Sequence, residues 1–121
     1  MNDKKPPDLK DRTREYALRV IRLTGSLPSS REGNVIGNQL LRSGTAVGAI
    51  YREGTRARSK AEYAAKLNLA LMELEESMYW LEIVEGAGLV KRKRLDGIKD
   101  ETSQLSAILV SLIKNAKGSK L

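Results

Sequence analysis

Glu73 and Glu76 stand one helical turn apart, a spacing that could place two carboxylates side by side for metal binding or acid–base work. Helix bundles build two-metal carboxylate centres from inward glutamates together with Glu-x-x-His pairs. This chain has no histidine and no cysteine, so that ligand set cannot be completed. Thiolate nucleophiles, disulfides and the usual neutral-pH general base are excluded with it. Glu73 and Glu76 also belong to the acidic side of a helix that has five Glu and no Lys or Arg between Glu73 and Glu85. The remaining serines, lysines and glutamates form no catalytic constellation, and the expectation is a non-enzymatic protein without a cofactor or metal.

The cations are the more informative set. A net charge of +7 points to an anionic partner, nucleic acid before membrane, since no segment is a basic amphipathic helix with a bulky apolar face open to lipid. From Arg42 to Lys66 there are six basic against two acidic residues, a local excess of +4. At helical spacing Arg42, Arg52 and Arg56 share one arc, with Glu53 the only acid beside them, and Arg58 follows in the next turn. That arc reads equally as a solvated polar face and as an anion-binding face. Lys91, Arg92, Lys93 and Arg94 fall at the predicted start of a helix, where the dipole disfavours cations, and Glu82 and Glu85 at the end of the preceding one, where it disfavours anions. Across a short loop the two groups can offset each other. A structural charge cluster is the first reading of Lys91 to Arg94, and a nucleic-acid patch the second.

Four elements must position these residues. At 121 residues the chain predicts one domain, and 4% aromatics with no Phe favour packed helices over sheets. Tyr16, Val20, Leu23 and Leu27 recur on one stripe until Leu27-Pro28-Ser29-Ser30 ends the pattern. A second helix is predicted from Arg31 to Arg56, with a tight turn over Arg56 to Arg58. Ser59 and Glu62 fit a capping box for a third helix, which runs to Glu85 and stops at Gly86 and Gly88. Leu95, Ile98, Thr102, Leu105, Leu109 and Leu112 mark the fourth. Short loops between four helices predict an all-α, antiparallel up-down-up-down four-helix bundle over residues 9–114, with flexible tails at 1–8 and 115–121. No apolar run reaches membrane-spanning length and Met1 to Lys10 has no apolar leader core, so the expected location is cytoplasmic.

Two features ask for close partners. Gly37, Gly44 and Gly48 fall in the same arc of the second helix as Ile36, Leu40, Leu41, Val47 and Tyr51. Glycine costs about 1 kcal/mol against alanine in a helix, so inward glycines predict a neighbouring backbone packed tightly against them. A phosphate cradle would need a preceding strand and a loop conformation, which the pattern lacks. The third helix carries a bundle stripe (Tyr63, Leu67, Ala70, Leu71, Leu74, Met78, Leu81) and a second apolar set on its far side. Leu69, Met72, Tyr79, Trp80 and Ile83 of that set are the predicted interface with another copy of the chain.

The stretches YALRVIRLTGSLP, LLRSGTAVGAIYREGTRARSKAEY and KLNLALMELEESMYWLEI, with GLV after them, resemble the 23S rRNA intervening-sequence protein family, also called the four helix bundle protein family. The resemblance covers about Arg14 to Ile113. It implies a small bacterial bundle that assembles as a homopentamer and has no known enzymatic activity. Related proteins are accessory factors of diversity-generating retroelements, in which a basic pentamer binds nucleic acid and a reverse transcriptase. Such a chain would have itself and RNA or DNA as partners, with a reverse transcriptase as a further candidate. Ile50 and Met72 stand where family members commonly have Asn and Lys, which makes both surfaces more apolar here.

Overall fold

The structure, a computed structural model, describes residues 8–118, and three of its four helices start on side-chain caps. Asp8 accepts from the Lys10 amide and opens α1 (Leu9–Gly25); Ser30 accepts from Gly33 and opens α2 (Arg31–Gly54); Ser59 accepts from Glu62 and opens α3 (Lys60–Gly86). The capping box at Ser59 is displaced by one residue. The Glu62 side chain takes the backbone N–H of Arg58 at 3.2 Å rather than that of Ser59. At the far end of α3, Gly88 turns left-handed with φ 70°, and the amides of Gly88 and Leu89 return to the carbonyls of Glu85 and Val84. This satisfies two orphan carbonyls and needs glycine at that position.

α2 ends two residues before the predicted Arg56, because Thr55 caps it and the turn occupies Thr55 to Ser59. Lys91 to Arg94 do not begin the fourth helix. Arg92–Arg94 form a separate 3-10 turn, and α4 runs Asp96–Gly118. The predicted C-terminal tail is therefore helical as far as Gly118, and the rest of it, like residues 1–7 of the predicted N-terminal tail, lies outside the described residues.

Cross-helix pairs establish the antiparallel order. Val20 faces Gly44 and Thr13 faces Gly48 between α1 and α2; Glu53 pairs with Lys66 between α2 and α3; Glu85 pairs with Lys99 between α3 and α4; and Arg12 with Glu101 and Arg94 with Ser26 close the ring. The consecutive seams are broad and the α1–α4 seam is narrow. The inward glycines are as predicted. A Cβ on Gly44 would stand 2.7 Å from a Val20 methyl, and one on Gly48 would stand 2.9 Å from the Thr13 hydroxyl, so α1 rides directly on the backbone of α2.

The core is a column of Leu40, Leu67, Leu74, Leu81, Leu95, Leu105 and Leu109 with Val20, Val47 and Val84. Truncating one such leucine to alanine costs about 2–5 kcal/mol. One polar layer crosses it. Tyr16 on α1 and Thr102 on α4 share a 2.7 Å hydroxyl bond, and Ser43 on α2 and Ser77 on α3 share one of 2.8 Å. Thr102 gives its proton to the Ile98 carbonyl, so the Tyr16 hydroxyl is the donor to Thr102. Burial raises the Tyr16 phenol pKa, and the hydroxyls of Thr102 and Ser77 oppose the shift. With all four helices contributing to one satisfied layer, a slip of any helix along the bundle would leave a buried hydroxyl unpaired.

Candidate nucleic-acid interface

The antiparallel order separates the predicted cations into three places. Arg52, Arg56 and Arg58 lie at the end of the bundle with the α2–α3 turn, and Lys91, Arg92, Lys93 and Arg94 lie at the opposite end with the α3–α4 connection. Arg42 sits on the side between them.

Arg42 does not remain free for a ligand. Its guanidinium reaches Glu73 at 3.3 Å and Glu76 at 2.6 Å, both on the neighbouring α3. Counting acids along its own arc missed these partners, since they arrive from another helix. Glu76 also accepts the indole N–H of Trp80 at 3.0 Å. That hydrogen bond, then Arg42, holds the Glu76 carboxyl below the ordinary glutamate range, and the Arg42 pKa is correspondingly raised. Glu76, which interrupts the far apolar set in the sequence, is the anchor that ties Trp80 and Arg42 together.

Arg52 is pinned more loosely. It donates to the Lys10 carbonyl at 3.3 Å and remains exposed. Arg56 and Arg58 project from the turn, and among the described residues no carboxylate pairs with either side chain.

At the other end the predicted charge cluster forms around Glu85. Arg92 approaches it at 3.1 Å and Lys99, which the residue pattern did not single out, at 2.7 Å. Lys99, with a smaller contribution from Arg92, holds the Glu85 carboxyl below its ordinary range. A depressed folded-state pKa means that this contribution is present above the unfolded glutamate value and is lost as pH falls through the folded one. Lys91 and Lys93 are exposed without an ion pair among the described residues, and Arg94 donates to the Ser26 hydroxyl at 3.1 Å.

The far face of α3 is open. Leu69, Met72 and Tyr79 are 46%, 54% and 52% exposed, while Ile83 is half-buried. Trp80 is half-buried against the core, with its ring edge-on to Tyr79 at 4.9 Å. Three of the five predicted interface residues therefore present large apolar surface to solvent. Among the described residues no cluster of His, Cys, Asp or Glu could hold a metal ion, and no helix is long and apolar enough to cross a membrane.

The arrangement defines an antiparallel helical bundle with cations at both ends that no carboxylate pairs among the described residues, and with an apolar lateral face on α3. The model of the 23S rRNA-intervening sequence protein family matches residues 8–111, and the chain belongs to that family. It is also similar to a crystal structure of a protein with unknown function from the S23 ribosomal protein family of Bacteroides thetaiotaomicron, with 36% identity, a TM-score of 0.83, and coverage of 88% of this chain and 99% of that one. No curated protein matches it.

Proposed function

We propose that this protein is a non-enzymatic, cytoplasmic basic bundle that self-associates, as a pentamer, and binds the backbone of RNA or DNA through its cationic ends. The observation behind the binding reading is charge left over after internal pairing. Carboxylates take up Arg42 and Arg92, whereas Arg52, Arg56, Arg58, Lys91, Lys93 and Arg94 pair with none among the described residues. Phosphate oxygens suit such groups, and binding would tolerate sequence because one Trp and no Phe offer little for base stacking. Self-association is supported by the open face of α3, and a ring of copies would multiply weak single-chain binding.

Fluorescence anisotropy with labelled RNA and DNA across a salt series tests the binding. The Arg56→Gln, Arg58→Gln variant should bind more weakly and flatten log affinity against log salt by about 0.7 to 0.9 for each phosphate that is no longer neutralised. Light scattering should show several chains per particle, falling on Met72→Glu, Tyr79→Glu with helical circular dichroism retained. No salt-dependent binding in an assembled protein would instead support the second reading, a scaffold for a protein such as a reverse transcriptase, which the exposed Leu69, Met72 and Tyr79 would serve.

A further inference from the structure

The α1–α4 seam changes character along its length. Near the start of α1, Arg12 is answered by α4 at several atoms: Glu101 at 2.8 and 3.0 Å and Gln104 at 2.8 Å. Two turns further along α1 comes Arg19, followed by Arg22, and among the described residues neither forms an ion pair with an acid of α4, although Asp96 and Asp100 lie in its first two turns. Gly97 lies opposite, with the Arg19 guanidinium 3.1 Å from where a Cβ would stand, and a third cation, Arg94, enters from the 3-10 turn. Arg19, Arg22 and Arg94 line one open pocket of about 260 Å³ over Leu23 and Ile98.

We propose that Arg19, Arg22 and Arg94 form a phosphate-binding pocket that grips one backbone phosphate of a bound nucleic-acid strand. Like charges gathered over apolar side chains repel one another, and an anion between them removes that cost. Among the described residues no carboxylate pairs with any of the three: Asp96 and Asp100, the acids in the first turns of α4, form no ion pair with them, and Asp100 accepts from the Gln104 amide. One fork is positioned in advance, Arg94 by its bond to Ser26, and the absence of a side chain at Gly97 leaves room for the Arg19 guanidinium. The pocket is open to solvent, with room for a phosphate and part of its hydration shell. The ligand that three guanidinium groups suit is the strand's phosphate.

This inference rests on the nucleic-acid reading, and its test separates the two. Anisotropy with a labelled uridine 20-mer would compare the wild type, Arg19→Gln/Arg22→Gln, Arg22→Gln alone, and a charge-matched Arg14→Gln/Arg31→Gln control whose residues lie outside the pocket. The pocket double variant should lose about tenfold in affinity and flatten the salt slope by about 0.7. Exposed Arg22→Gln, which leaves the fold untouched, should lose severalfold, and the control should stay within about twofold. Inorganic phosphate at constant ionic strength should compete with RNA for the wild type and not for the double variant. Equal loss in the double variant and the control, or no loss in the double, overturns the pocket while leaving the nucleic-acid reading standing. A wild type that binds neither this strand nor a thymidine 20-mer overturns both, and one stabilised by inorganic phosphate that binds neither overturns the strand as ligand.

Discussion

α1 meets its two neighbours by opposite means. Toward α2 it packs Val20 on Gly44 and Thr13 on Gly48, backbone close to backbone, with no charged pair at these positions. Toward α4 it relies on Tyr16 with Thr102 and Arg12 with Glu101, and then runs into a stretch where its arginines meet another arginine. Where the seam with α2 is closed by steric fit, at Gly44 and Gly48, no room is left for an added side chain. A seam closed by polar groups is satisfied only where complementary partners stand opposite, and the unmatched half is where we propose that a phosphate binds.

The contrast is broken most severely by filling the α2 side. Gly44→Leu should destabilise the fold by about 1–3 kcal/mol despite leucine's better helix propensity, since Val20 is branched, fully buried and unable to withdraw. Chemical denaturation measures it, and a rise in the midpoint would show that α1 and α2 can part cheaply. On the α4 side, Tyr16→Phe should cost about 1 kcal/mol, because Thr102 keeps its bond to the Ile98 carbonyl and no buried group is stranded. A loss as large as that of Gly44→Leu would mean the polar layer, not the glycine seam, holds α1. Smallest is Glu101→Gln, expected to cost up to about 1 kcal/mol, because the isosteric amide oxygen can still accept from Arg12 and Gln104 retains a second hydrogen bond to it. Thermal melts at low and high salt should show that cost shrinking with salt, while the cost of Gly44→Leu stays constant.

Much of this was legible from residue spacing. The leucine stripes, the capping serines and the inward glycines are local signals, fixed by helical period and by what a missing side chain permits. Gly88 was legible as a stop, though not that it would carry the left-handed turn. The weaker inferences were those about charge. Arg42 looked free because its own arc held few acids, and Glu73 and Glu76 reach it from α3. Arg19 and Arg22 were not predicted as a site, although their spacing with Arg12 along α1 was the available signal.

The third helix shows the same division within one element. Its apolar residues lie on both sides, so the order of residues alone shows two apolar surfaces on one helix and predicts that four helices of this length form one bundle. Packing against the other helices is what turns Leu67, Leu74, Ser77 and Leu81 inward while Leu69, Met72 and Tyr79 remain outside, and what leaves six of the predicted cations, at two separate ends, without a carboxylate partner among the described residues. Period and composition are properties of a single helix. Which charges cancel, and which apolar face is buried, depends on what stands across the seam, and that is set by the packing of one helix against another.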